Sequence, residues 1–266
     1  MTRMLYLLVG SWMAVANGEV PMILQNMMMM AVQSKSLTSR SVEWGLKERG
    51  VRYIIGSDEV GRGCLAGPVM AASCCILTDN FEAYEPIEML NDSKVLSPAK
   101  REAIYQHIVD RPDIYAWHVA ERSHAQIDET NILKATMECF AESIEQLVKR
   151  YQLPVEGDDN ENPNVSQSYC IVDGNKSPKL NVETLGGKLP CRPFVKADSQ
   201  VYTVALASVI AKVTRDTLLK ETMHPLYPQY GFDRHKGYGT KDHIIAIHKH
   251  GPCPIHRLSF KPLKGR

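Results

Sequence analysis

The chain has 266 residues, a formal net charge of +1, 44% hydrophobic and 23% charged residues, the balance of an ordinary soluble globular protein long enough for one large core. Its seven cysteines (Cys64, Cys74, Cys75, Cys139, Cys170, Cys191, Cys253) are odd in number and contain no C-x-x-C, which excludes a disulfide framework and the usual zinc spacings. Reduced thiols in an intracellular, cytoplasmic compartment are the simplest consequence.

From the N-terminus, residues 5–16 form an apolar run too short to span a membrane. Ala14-Val15-Ala16 has the form of a signal-peptide cleavage site, while residues 1–42 hold one acidic residue, Glu19, as an organelle (for example mitochondrial) transit peptide would. Met27-Met28-Met29-Met30 offers a third reading, a downstream translation start. Residues 1–45 are therefore set apart as an extension, and 46–266 are taken as one catalytic domain.

Residues 52–56 predict a buried strand leading into Asp58, and 69–77 a second behind the turn Gly67-Pro68. Ser97-Pro98 opens a helix to about residue 110, with an N-cap and a proline at its first position. Residues 115–119 suit a third strand. Asp128 or Thr130 opens a helix whose apolar positions Leu133, Met137, Phe140, Ile144, Leu147 and Val148 recur at helical spacing. Residues 156–168, with four acids, three Asn and a Pro, suit a loop or disordered insertion. A short strand at 169–172 ends at Asp173, and an Ala- and Val-rich helix covers 201–219. Strands mixed with helices give an α/β domain. From position 192 to the end there are 13 Lys or Arg, 5 Asp or Glu and six of the nine histidines, which suits a polyanionic partner and equally a solvated basic surface.

Four acids stand where elements begin or end: Asp58, Glu59, Asp173 and Asp198. Carboxylates at strand ends suit Mg²⁺ or Mn²⁺, which prefer oxygen ligands. Each acid alone also suits a turn, and no spacing rule joins the four. Neighbours on a regular strand point to opposite faces, so Asp58 and Glu59 are expected to share a site by the chain leaving the strand, a bend that Gly61 and Gly63 ease.

The run Gly56-Ser57-Asp58-Glu59-Val60-Gly61-Arg62-Gly63-Cys64-Leu65-Ala66-Gly67-Pro68-Val69 resembles the opening motif of ribonuclease HII. Similar blocks follow in family order: Asp92-Ser93-Lys94, Ile127-Asp128-Glu129-Thr130-Asn131, Val172-Asp173-Gly174-Asn175, Lys196-Ala197-Asp198-Ser199, Ala207-Ser208-Val209-Ile210-Ala211-Lys212-Val213-Thr214-Arg215-Asp216, His235-Lys236-Gly237-Tyr238-Gly239-Thr240 and Gly251-Pro252-Cys253-Pro254-Ile255-His256-Arg257. The resemblance implies a ribonuclease H-like mixed sheet flanked by helices with a helical C-terminal part. It implies four metal-binding and catalytic acids, Asp58, Glu59, Asp173 and Asp198, around two Mg²⁺ or Mn²⁺ ions, with Asp58 bridging. It also implies an endonuclease that degrades RNA in RNA–DNA hybrid duplexes and incises 5′ of ribonucleotides embedded in DNA, leaving 5′-phosphate and 3′-hydroxyl ends. Ala197 stands where the family has Gly, so the turn before Asp198 must tolerate a Cβ, and Cys64 stands where the family commonly has Pro.

Gly61, Arg62 and Gly63 are expected to read the 2′-hydroxyl, the glycines letting main chain approach the sugar and Arg62 pairing with a phosphate. The resemblance adds Tyr238 at the RNA–DNA junction; Lys94 and the basic tail are candidate phosphate contacts. His235 and His256 are expected to pack or touch phosphate rather than act as bases. Ribonuclease HIII lacks the arginine of this motif, a DNA resolvase needs no 2′-hydroxyl reader, and a catalytically dead binding subunit needs no acids. The bacterial-type motif implies a monomer with no obligatory protein partner and no membrane.

Overall fold

The computed structural model describes residues 40–77, 87, 90, 91, 93–155 and 166–264. The N-terminal targeting or start segment up to residue 39, Asp92, and most of the acidic insertion, 156–165, lie outside the described residues.

Five strands form one mixed sheet in the order β3-β2-β1-β4-β5. They are β1 (Tyr53–Val60), β2 (Val69–Ile76), β3 (Tyr115–Arg122), β4 (Ser168–Asp173) and β5 (Cys191–Phe194). β1–β2 and β2–β3 are antiparallel; β1–β4 and β4–β5 are parallel. Nearly every residue of β1 and β2 is buried because both sheet faces are covered, and so neither sequence alternates apolar with polar along its length. β5 carries Pro193 and exposed Arg192, lacks an apolar pattern and was not expected from sequence; at the sheet edge a proline costs no ladder bond.

Six α-helices of six residues or more are described: α1 (Ser41–Lys47), α2 (Pro98–Val109), α3 (His124–Glu129), α4 (Ile132–Tyr151), α5 (Tyr202–Thr217) and α6 (Lys241–His250). Ser97 caps α2 as expected, its hydroxyl accepting from the Lys100 amide. Asn131, rather than Asp128 or Thr130, caps α4. Asp128 belongs to the separate α3, and its carboxylate instead accepts from the amides of Leu258 and Ser259. α4 buries Phe140, Ile144 and Leu147 on one sheet face, with Ile55, Val69 and Cys170. α5 and α2 cover the other face, with Val60, Met70, Leu206 and Ile210. None of the described helices is long and apolar enough to cross a membrane.

α5 lies unusually close to β1. A Cβ on Gly56 would sit 2.2 Å from the Thr203 carbonyl carbon, so only glycine allows this contact. α1 falls mostly before residue 46, yet Val42 and Leu46 pack on Ile54, Ile171 and Val204. The folded unit therefore includes residues ahead of the expected boundary at 46. Glu43 caps α5 from afar: its Oε1 accepts from the Thr203 amide at 3.0 Å and the Thr203 hydroxyl at 3.2 Å. Val201, at the N-cap position of α5, supplies no side-chain bond, which leaves those donors to Glu43. Burial dominates at this carboxyl and raises its pKa to about 7.

The chain beyond α5 passes through a wider π-helical turn (Leu218–Met223), short helical turns and α6, building a second small core of Leu219, Tyr230, Phe232, Ile247 and Leu263 around Leu65 and Ala66. This basic part thus grips the loop that follows β1.

Candidate active site

Asp58 and Glu59 both stay on β1, paired with Ala72 and Ala71 of β2, so the chain does not leave the strand as expected. Parallel pairing with β4 stops at Ser57↔Val172, and beyond it β1 has an open flank. There the side chains converge: ligand oxygens of Asp58, Glu59 and Asp173 all lie within 4.8 Å of one another. The Glu59 amide donates to Asp58 Oδ1 at 2.7 Å, which folds the Asp58 carboxylate back along the strand. Ser208 on α5 donates to Asp58 as well, and its hydroxyl is 2.8 Å from that of Ser93.

Asp173 ends β4 and accepts the Ala197 amide at 2.7 Å. That bond docks the 3-10 turn Ala197–Ser199, which carries Asp198. The left-handed residue of the turn is Lys196, at φ 60°; Ala197 is in the 3-10 turn with its methyl in the core beside Val201 and Val204. The Cβ at position 197 is therefore not merely tolerated but packed. Asp198 stands beside the three-carboxylate cluster and raises the pKa of both Asp58 and Asp173, but it is not within the cluster. Its Oδ2 is 2.8 Å from Lys94 Nζ, in a pair whose lysine side chain is 72% exposed and whose aspartate is 6% exposed.

Burial is the first cause that drives all three clustered carboxyls above their usual range, Asp58 furthest. Glu59 and Asp173 repel charge on Asp58, while Arg62 partly offsets Glu59. A cluster of this kind holds protons, or a cation, in place of full negative charge. Its oxygen-only donor set fits a hard divalent cation.

The Gly61-Arg62-Gly63 loop leaves directly from this cluster. Arg62 Nη1 is 3.4 Å from Glu59 Oε1, with half of its side chain exposed. Gly61 has φ +83°, and a Cβ there would lie 2.2 Å from Arg215 Nε. Its glycine is thus required by the protein interior rather than by an approaching sugar. Gly63 is different: nothing lies within 4 Å of a Cβ built there, so that surface is open. Tyr238 pairs through main chain with Cys64, placing its partly exposed ring beside this loop, 5.3 Å from Lys212 Nζ.

Two fully buried arginines hold the loop from below, and sequence reasoning missed both. Arg215 donates to the carbonyls of Pro68, Lys236 and Ala66 at 2.9, 2.9 and 3.0 Å. Arg257 donates to Gly67 and Arg62 at 2.9 and 3.1 Å, while its Nη2 is buried with no hydrogen-bond partner. Burial lowers its pKa to about 10. Both arginines lie inside the motif blocks; all of their partners but Lys236 are over a hundred residues away and leave no local pattern.

Histidines back the Tyr238 turn. His243 Nδ1 is 2.9 Å from the Tyr238 carbonyl, an acceptor, so it carries the proton and His243 Nε2 is bare. His256 Nε2, 3.0 Å away, must then donate, and His256 Nδ1 accepts the Cys253 amide at 2.9 Å. Every link requires neutral rings, and burial accordingly lowers both pKa values to about 4. His235 stacks on His243 with ring centroids 4.3 Å apart.

The family model for ribonuclease HII matches residues 55–263. A ribonuclease HII of Idiomarina loihiensis is 41% identical over 211 residues, covering 79% of this chain and 96% of that one. One from Chlamydia abortus is 37% identical over 239 residues, covering 90% of this chain and 98% of its own. Among solved structures, the ribonuclease HII in a complex with PCNA from Archaeoglobus fulgidus superposes with a TM-score of 0.55 at 25% identity, over 78% of this chain and 95% of that one. The ribonuclease H2 of Pyrococcus horikoshii gives 0.56 at 24%, over 79% and 95%, and shares the fold.

Proposed function

The chain belongs to the ribonuclease HII family and is a ribonuclease H acting on RNA in hybrids with DNA, and from that premise we propose that it also incises 5′ of single ribonucleotides embedded in duplex DNA, with two Mg²⁺ or Mn²⁺ ions. The observation that carries this reading is the contiguity of the two parts: the carboxylate cluster and the Gly61–Tyr238 surface share one loop.

Asp58, Glu59 and Asp173 would hold the cations, with Asp198 joining them once Lys94 turns away. Bound cations supply charge to offset the attacking and departing oxygens and make water easier to ionise. The protein's own part is to place the phosphodiester. Open main chain at Gly63 meets the 2′-hydroxyl, Arg62 and Lys94 contact phosphates, and the Tyr238 ring packs on the next, deoxyribose, sugar. Products carry 5′-phosphate and 3′-hydroxyl ends, and the enzyme works as a monomer.

Two labelled duplexes test this, one an all-RNA hybrid and one with a single ribonucleotide in DNA, each with Mg²⁺ and with Mn²⁺. Cleavage of both is expected, with Tyr238→Ala losing roughly tenfold or more on the single-ribonucleotide duplex, as loss of one aromatic stack implies. If only the hybrid is cut, the embedded-ribonucleotide reading fails.

A further inference from the structure

We propose that Cys170 and Cys191 form a reversible disulfide site, a cross-strand dithiol on β4 and β5 that a peroxide closes and a dithiol reductant reopens. The site is independent of the reading of the active site.

The two residues are register partners in the parallel β4–β5 pair, so their side chains leave the same face of the sheet. Paired positions on neighbouring strands stand about 4.8 Å apart, inside the roughly 4.4–6.8 Å Cα range that disulfides span. β5 is a four-residue strand at the sheet edge, so the small movement that brings two sulfurs into bonding distance meets little resistance. Both thiols are free in the structure. Their access differs: Cys170 is fully buried, and Cys191 is partly exposed.

Their chemistry differs in the same sense. The Cys170 thiol donates to the Cys191 sulfur, which lowers the Cys191 pKa, with Ser177 and Arg192 helping; burial pushes Cys170 up. Cys64, Cys74, Cys75, Cys139 and Cys253 are all pushed up by burial. Cys74 and Cys75, though adjacent, point to opposite faces of β2 and do not make such a pair. Cys191, the more accessible of the two, is thus the thiol that an oxidant meets, and Cys170 the resolving thiol behind it.

The steps balance with hydrogen peroxide as oxidant. The Cys191 thiolate attacks one peroxide oxygen, the O–O bond breaks, and the departing hydroxide takes a proton to become water. Cys191 is then a sulfenic acid. Cys170 sulfur attacks that sulfur, its proton leaves with the displaced hydroxide as a second water, and the S–S bond forms. The two thiols have given two electrons to the peroxide. A dithiol reductant returns them by thiol–disulfide exchange. Closure ties the strand that ends at Asp173 to the strand that leads into the Asp198 turn.

The test uses the full chain under graded peroxide, followed by alkylation, non-reducing digestion and mass spectrometry. The expected result is one cross-linked peptide pair, Cys170 with Cys191, both thiols disappearing together and both restored by dithiothreitol. In Cys191→Ser, Cys170 stays alkylatable on denaturation. In Cys170→Ala, Cys191 accumulates as a sulfenic acid that dimedone traps, and the melting curve confirms that each variant is folded. The proposal is overturned if wild-type Cys191 oxidises past the sulfenic acid while Cys170 remains free. It is equally overturned if Cys191 bonds another cysteine, or if both thiols survive peroxide that oxidises Cys253.

Discussion

The two halves of the candidate site are built on opposite electrostatic plans. At the open flank of β1, three carboxyls crowd together, and burial raises the pKa of each. Beneath the neighbouring loop, two buried guanidinium groups are spent on main-chain carbonyls, and two neutral histidines extend the support to the Tyr238 carbonyl. The first region carries like charges that repel one another unless protons or cations offset them. The second is held by hydrogen bonds to main-chain carbonyls that need no substrate. The difference teaches where each kind of substitution should act: relief in one region, collapse in the other.

The sharpest way to break that comparison is Asp58→Asn. It keeps the size of the side chain and an acceptor for the Glu59 amide, but removes the charge at the centre of the cluster. Metal-dependent cleavage should fall beyond the ~10²–10³-fold that loss of one electrostatic stabiliser costs. The same variant in EDTA at pH 8 should melt above the wild type, because a buried self-repelling charge is gone. A lower melting temperature would mean that Asp58 is structural in the way the arginines are.

Next comes a pair on the loop. Gly61→Ala forces a Cβ into a left-handed backbone and against Arg215, and should cost about 3 kcal/mol of stability through strain and overpacking. Gly63→Ala meets no protein atom and should melt like the wild type. Any loss in Gly63→Ala should therefore appear in substrate discrimination alone. Equal melting of the two variants would show that the loop is not clamped from below.

These particulars show how much was legible in the sequence. α2, α4 and α5 followed from a capping pair, helical spacing and composition, because each signal lies within one element; the mixed sheet followed only from the resemblance to ribonuclease HII. The acids were visible as chemistry, but their meeting was not, since Glu59 and Asp173 are over a hundred residues apart in the chain. Asp58 and Glu59 were expected to need a bend; the open flank beyond Ser57↔Val172 replaced it, and strand partners cannot be read from one strand. Glu43, Arg215, Arg257 and His243 share one reason for being missed. Each serves a main-chain group, a helix end or a loop carbonyl, that no local pattern announces; for all but His243 that group is over a hundred residues away.

The pH dependence of stability should separate the regions more gently. Asp58, Glu59 and Asp173 hold protons more tightly in the folded protein. Their contribution is full below the ordinary carboxylate range near 4 and is lost as pH rises through their raised values. Glu43 acts in the same sense, its share being lost as pH rises through about 7. His243 and His256 act in the opposite sense. Their contribution is full above the ordinary histidine value of about 6.5 and is lost as pH falls through about 4. In EDTA, the advantage of Asp58→Asn over the wild type should widen from pH 5 to pH 8. His256→Gln, which keeps a donor toward His243, should be most destabilised near pH 7 and match the wild type near pH 4. Melting curves across that range check both; parallel curves for all three proteins would remove the distinction.

The smallest effect belongs to Lys94, the residue that connects the two plans. Its ammonium offsets Asp198 in the protein without cations, through a largely exposed side chain. With the lysine end of the pair in water, its contribution is on the order of 1 kcal/mol, so Lys94→Ala should move the melting curve only slightly. Its two other effects should have opposite signs. Mn²⁺ should bind more tightly, by calorimetry, because Asp198 no longer has a competing cation. Hybrid duplex should bind more weakly at every sequence, with a salt dependence shallower by roughly one phosphate contact. If Mn²⁺ bound more weakly instead, Lys94 would be holding Asp198 in place for the metal rather than competing with it. The four acids would then depend on the lysine for their assembly.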